Sequence, residues 1–440
     1  MFAYYLRLGL ASLRRTPMIT VLTIAAIALG IGVCTTTLTV YHLMSSNPIE
    51  HRNEVLYAVT MDGWDPDQPW HSDRPHLPPP ELTYRDAQAL LESDISDRRV
   101  AMRKTTVAVE PAEARTDVAP FLIEVRLTTG DFFAMFDTPF EYGSGWDAAA
   151  DAEANRVVVL SEETNEKAFG GIDSVGRTIR LDGRDYEVVG VLKDWNPTPK
   201  FYDLNNGPFD ESEEIYMPFA LGETQEMQPA GNVNCWKNEQ IDSFRQFLDS
   251  ECIWIQFWVE LGSPAKVERF QAFLDAYVGE QKKLGRFPRP LNNRLDRVSD
   301  WLDINEVVQD DNRVLVGLSF MFLAVCLLNM IGLLLAKFLG AAPIVSLRRA
   351  LGASRSAIVK QHLVEVGLIG VAGGIAGLVI AGFGLAALER LYSQYEHLTR
   401  LDVAMLGVGL VIAVATGMLA GLYPIWRVSR VQPAVYLKTQ

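Results

Sequence analysis

The chain has 440 residues, 49% hydrophobic and 21% charged, with a formal charge of −14. The apolar residues are gathered into four blocks, which excludes a disordered chain, a collagen and a wholly soluble enzyme. Residues 45–313 carry 27 Lys+Arg against 50 Asp+Glu, a balance of −23 that leaves the remainder at +9: one acidic domain and a basic membrane part.

Phe2 to Arg15 places Phe2, Tyr5, Leu6, Leu10 and Leu13 toward one face, which predicts a short interfacial helix over 1–15. A first span follows over 16–46, too long for the apolar core of a cleaved leader, so it reads as a retained anchor. Residues 47–292 form the external domain, with a strand at Val55–Met61, a Pro/Trp/Asp-rich loop from Gly63 to Pro80 and a helix from Pro80-Glu81 to Glu92. Leu122–Leu127 reads as a strand, as does the β-branched run Arg156–Leu160. Ser161 caps a helix that Gly170-Gly171 stops. Asp182-Gly183 joins Arg177–Leu181 to Tyr186–Leu192 as a hairpin. The region from about Phe201 to Gly262 is expected to form a second lobe, and Pro264–Glu280 an amphipathic helix. Over 293–313 the apolar spacing predicts a stalk helix running without a break into the second span, a rigid link between domain and bilayer. Spans are expected at 314–338, 363–389 and 403–426, separated by a basic loop at 339–362 and a short connection at 390–402, with a tail at 427–440.

Lys and Arg gather before the first span, between the second and third, and after the fourth. By the positive-inside rule these segments and both termini are cytoplasmic, and the acidic domain lies outside. Cys235 and Cys252 are the two cysteines of that external domain and are expected to form a disulfide. Gly370/Gly374, Gly373/Gly377 and Gly417/Gly421 repeat at four-residue spacing, which suits close helix packing either within the chain or across a dimer. His71 and His76 near Asp65, Asp67 and Asp73 match neither a zinc nor an EF-hand spacing, so no metal site is expected. Neither G-x-S-x-G nor H-E-x-x-H occurs, and no catalytic constellation is read. The negative charge of the domain argues against nucleic acid.

The segment SLRRALGASRSAIVKQHLVE from Ser346, the opening LRLGLASLRRTPMITVLTIAAIALGIG and the closing GLYPIWRVSRVQPAVYLK resemble the permease family of MacB, FtsX and LolC/LolE. In the external domain, LTTGDFFAMFDTPFEYGSGW, VVVLSEETNEKAFGG and GRTIRLDGRDYEVVGVLKD resemble the MacB-like periplasmic core. The resemblance implies four transmembrane helices with a large mixed α/β domain inserted between helices 1 and 2, in the bacterial inner membrane. It implies a coupling helix made of Ser346, Leu347, Arg348, Arg349, Ala350, Leu351, Gly352, Ala353, Ser354 and Arg355, resting on a cytoplasmic ABC ATPase. No G-x-x-x-x-G-K-[ST] occurs in the chain, so ATP and Mg are expected on that partner and no cofactor is expected on this chain. A second permease, identical or paralogous, is implied, with a membrane-fusion adaptor and outer-membrane duct if the role is efflux of a drug or peptide. Alternatives within the resemblance are lipoprotein release and FtsX-like regulation of a cell-wall hydrolase.

Overall fold

The computed structural model describes residues 2–111, 118–308, 310–391 and 403–430. Two compact units emerge, one from Met1–Ser45 with Val308–Gln440 and one from Ser46–Val307. The chain starts with α1 (Phe2–Arg15), basic in its last turn, and α2 (Pro17–Ser45), whose proline sits where a helix needs no N–H donor.

The second unit is a mixed sheet covered on both faces. Its first elements are β1 (Leu56–Thr60), β2 (Leu82–Thr83), α3 (Tyr84–Leu91), β3 (Arg98–Glu110) and β4 (Phe121–Thr128). The short helices α4 (Asp131–Met135) and α5 (Ala148–Ala152) flank β5 (Phe140–Gly143). Next come β6 (Val157–Leu160), α6 (Glu162–Phe169) and the hairpin of β7 (Thr178–Leu181) with β8 (Arg184–Leu192). After β9 (Ile215–Pro218), short helices α7 (Leu221–Thr224) and α8 (Phe244–Leu248) precede β10 (Ile253–Glu260), α9 (Pro264–Lys283), β11 (Arg294–Arg297) and α10 (Val298–Ile304).

Strand order is β11-β1-β10-β3-β4-β9-β6-β8-β5, with β2 added to β10 and β7 bridging β3 and β8. The β4/β9 and β6/β8 pairs are parallel and the rest antiparallel. Alternate residues of one strand feed opposite cores: Tyr57, Phe257 and Met217 enter one cluster, Ala58, Trp258 and Tyr216 the other. Burial on both faces explains why these strands read as unbroken apolar runs. Local signals set the remaining boundaries. The Ser161 hydroxyl accepts from Thr164 N at 3.1 Å and Gly170, at φ 76°, closes α6. Asp182 and Gly183 both take positive φ, the geometry of a type I′ turn.

Three expectations are corrected. The helix read from Pro80-Glu81 begins at Tyr84, because Leu82 and Thr83 pair with β10 and the Thr83 side chain caps α3 through Asp86 N. Residues 201–262 are not a second lobe: β9 and β10 lie in the middle of the one sheet. Nor is 293–313 a continuous stalk helix. Arg294–Arg297 pairs with β1, and α10 buries Val298, Trp301 and Leu302. The Asn305 side chain then donates to Trp301 O at 2.8 Å, Glu306 turns left-handed at φ 48°, and α11 starts anew at Asp310. The apolar spacing is real, but it serves a strand filling the open edge of β1 and a separate short helix.

The membrane unit continues with α11 (Asp310–Gly340), α12 (Ala342–Ala350), α13 (Arg355–Leu391) and α14 (Val403–Ser429). Among the described residues four helices, within Pro17–Arg52, Asp311–Gly340, Arg355–Leu388 and Gly407–Ser429, are long and apolar enough to cross a membrane. The glycine repeats are used inside the chain. A Cβ on Gly373 would come within 2.7 Å of Ile27, on Gly377 within 2.9 Å of Ile31, on Gly374 within 2.8 Å of Ala413 and on Gly421 within 2.7 Å of Val366; Gly417 and Gly370 face each other. Most of the 390–402 connection, and the tail beyond residue 430, lie outside the described residues.

Candidate coupling site

Residues 346–355 fold as the end of α12, a reversal and the start of α13. Proline in the first turn of α12 separates it from α11, which ends at Gly340. The helix is two-sided. Ala342, Val345 and Ser346 are buried, whereas Ile344, Leu347 and Leu351 are 45%, 52% and 79% exposed, on one ridge at near-helical spacing. Arg348 and Arg349 occupy the last turn, where cations complement the negative end of the helix dipole.

The reversal is built by backbone bonds. Gly352 N donates to Arg349 O at 3.1 Å and Ala353 N to Arg348 O at 3.0 Å, with Gly352 at φ 99°, a conformation that a Cβ disfavours. Ser354 caps the next helix by accepting from Ala357 N at 3.2 Å, and Arg348 Nη1 reaches across to Gln361 Oε1 at 2.7 Å. The result is a fixed hairpin of helices with an outward apolar ridge beside a half-buried basic last turn.

Four polar side chains at the base of this hairpin were not read from the sequence. Lys337, in the last turn of α11, places Nζ 2.8 Å from Glu365 Oε1, and both side chains are buried. Ser12 Oγ donates to the same oxygen at 2.7 Å, and His362 Nδ1 lies 3.2 Å from Glu365 Oε2. Lys337 passed as one more positive-inside residue. The available signal was a lysine and a glutamate each abutting a long apolar run, where unpaired charge is costly.

In the other unit the polar chemistry is buried and paired. Arg126 Nη2 donates to Asp203 Oδ2 at 2.5 Å and also to Glu213, while Lys200 Nζ is 3.3 Å from Glu213 Oε1. Burial opposes ionisation of Glu213, yet Arg126 and Lys200 beside it hold its carboxyl well below the usual carboxylate range. Glu81, 1% exposed, lies in the same neighbourhood without a cation in contact, and burial pushes it up to about 8. A cleft of about 740 Å³ is lined by Asp97, Asp131, Asp147, Asp151, Trp146 and Phe219. Its carboxylates are engaged by the fold: Asp151 accepts from Gly130 N and Trp146 Nε1, both at 2.7 Å, and Asp147 caps α5. Cys235 and Cys252 are joined by a disulfide. His71 packs against Trp70 edge-on.

The MacB-like periplasmic core domain matches residues 20–277 and the FtsX-like permease C-terminal region matches 316–433. The chain belongs to the MacB/FtsX-type ABC transporter permease family. Within that family it is a multi-pass membrane protein with a periplasmic domain inserted between its first and second spans. It is 21% identical over 315 residues to the macrolide export ATP-binding/permease protein MacB of Azoarcus sp. (strain BH72), covering 71% of this chain and 42% of that protein. Identity is 22% over 312 residues to the pyoverdine export ATP-binding/permease protein PvdT of Pseudomonas syringae pv. tomato, covering 70% and 42%. Against the ABC transporter permease YvrN of Bacillus subtilis it is 23% over 314 residues, covering 70% and 68%. The aligned part thus spans less than half of the MacB and PvdT relatives. The crystal structure of the periplasmic region of MacB from Actinobacillus actinomycetemcomitans aligns with 57% of this chain and 94% of its own, at 12% identity and a TM-score of 0.35.

Proposed function

We propose that this chain is the permease subunit of an exporter in the bacterial inner membrane. It works as a dimer with itself or a paralogue, and is driven by a separate cytoplasmic ATPase that binds ATP and Mg. The periplasmic domain delivers the work, expelling a drug, peptide or other periplasmic substrate by mechanotransmission, with an adaptor and outer-membrane duct as its outlet. Both termini and α12 face the cytoplasm.

The observation that carries this reading is the outward ridge of Ile344, Leu347 and Leu351 beside the basic last turn of α12. Apolar anchors next to cations suit a groove with an acidic rim on a partner protein. The export class is favoured by the names of the MacB and PvdT relatives. The test is hydrolysis by the cognate ATPase with the full-length permease in lipid nanodiscs. Leu347→Asp is expected to reduce permease-stimulated turnover about tenfold or more, as loss of a buried anchor does at an interface. Its solubility and thermal unfolding should match the parent, since Leu347 is exposed; undiminished stimulation would count against the reading.

A further inference from the structure

Glu365 has no solvent exposure, yet it sits on a helix that carries no charged residue from Val366 to Leu388. One oxygen receives both Ser12 Oγ of α1 and Lys337 Nζ of α11. Lys337 Nζ also donates to Thr20 Oγ1 of α2 at 3.2 Å, and Thr20 Oγ1 donates back to Leu13 O of α1 at 3.3 Å. A single carboxylate and a single ammonium therefore join α1, α2, α11 and α13. Of these, α1 and α13 also approach closely beside it: a Cβ on Gly9 would lie 3.2 Å from Leu368 Cδ1 and 3.6 Å from Glu365 Cα.

Stability does not account for such an arrangement, because a buried ion pair is commonly no better than apolar residues of the same volume. It contributes register. Leucine side chains slide past one another with little change in energy, whereas hydrogen bonds weaken steeply once distance and angle drift. Location gives the register its meaning. Lys337 lies in the last turn of α11, Glu365 about three turns into α13, and α12 is the element that connects them. Because α12 connects the helices that carry them, a tilt of α12 would act on these two partners first.

We propose that Glu365 passes displacement of α12 to the interfacial helix α1, with Lys337 and Ser12 as its positioning partners. On this view α1 is a driven part of the coupling machinery as well as an anchor. The proposal rests on α12 being the ATPase contact, and its test separates the two. Full-length permease and cognate ATPase are placed in nanodiscs with the pair Gly9→Cys and Leu368→Cys, and oxidative cross-linking is measured without nucleotide and after vanadate trapping. The yield is expected to differ between the two states, and Ser12→Ala, which removes only a hydroxyl, should abolish the difference. Stimulated hydrolysis should fall about fivefold in Ser12→Ala, the worth of one net hydrogen bond, with basal ATPase unchanged. Lys337→Met should also uncouple, and the exchange Lys337→Glu with Glu365→Lys should recover stimulation. If Lys337→Met fails to fold, Ser12→Ala decides. A cross-link independent of nucleotide, with Leu347→Asp still uncoupling, overturns the role of α1 alone; normal stimulation in Leu347→Asp overturns both.

Discussion

Gln256 Nε2 donates to Glu81 Oε1 at 2.7 Å, while Glu81 Oε2 is buried with no well-formed hydrogen bond among the described residues, the Asn205 amide lying beside the carboxyl. Nearby, Arg126 and Lys200 are already matched by Asp203 and Glu213, so a third carboxylate charge would stand unbalanced. Burial accordingly raises Glu81 from 4.5 to about 8. The folded state then holds a proton that the unfolded chain gives up. The stabilisation is fully present below about pH 4.5 and is lost as pH rises toward 8. Expected for Glu81→Gln in the full chain is a thermal midpoint that falls less between pH 5 and 8 than in the parent. The energetic difference is on the order of 4 kcal/mol at most. Equal pH slopes would mean that Glu81 is ionised in the fold.

Arg126→Met leaves Asp203 and Glu213 buried, with Lys200 as the remaining cation on Glu213. Removing one member of a buried charge cluster costs about 3–5 kcal/mol, to be read as a lower denaturant midpoint for the periplasmic transition. A midpoint unchanged from the parent would show the cluster to be hydrated.

Glu306 separates the two accounts of residues 293–313. Its φ is 48°, so Glu306→Gly relieves a left-handed backbone and is expected to leave stability unchanged or raise it by about 0.5–1 kcal/mol. The exposed ion pair with Arg74 that it removes is worth little. In an unbroken stalk helix the same glycine would cost about 1 kcal/mol. Thermal unfolding of the single variant gives the sign.

Gly377 should be sensitive to leucine and Gly332 insensitive. A Cβ at Gly377 would meet Ile31 at 2.9 Å, whereas among the described residues nothing lies within 4 Å of the position at Gly332. Gly377→Leu is expected to destabilise the bundle by about 1–3 kcal/mol through overpacking, seen as a lower melting temperature in detergent even at dilutions that favour monomer. Gly332→Leu should melt with the parent. Equal melting of the two variants would place the Gly377 contact between subunits.

Features that depend on a few neighbouring residues were legible before any coordinates. The spans were, because a bilayer demands about 20 consecutive apolar residues whatever else the chain does. The cap at Ser161, the stop at Gly170 and the turn at Asp182-Gly183 were legible for a similar reason: each follows from one side chain or one backbone angle. Residues 346–355 were marked out by the family resemblance and their arginines by the positive-inside pattern, but the exposed ridge of Leu347 and Leu351 was not read from the sequence.

Whatever depends on a partner remote in sequence was decided only by folding. Periodicity could not tell that Leu295 belongs to a strand and Val298 to a helix, since the open edge of β1 makes that choice. Arg126 looks like any charged residue on a strand until β9 pairs beside it and Asp203 and Glu213 arrive from elsewhere in the chain. Lys337 and Glu365 are ordinary ends of apolar segments until α1 closes over them. Composition fixes which solvent each segment must occupy, a one-dimensional constraint. Pairing, burial of charge and helix register arise from groups brought within a few ångströms by the whole fold, and only the tertiary structure could assign them.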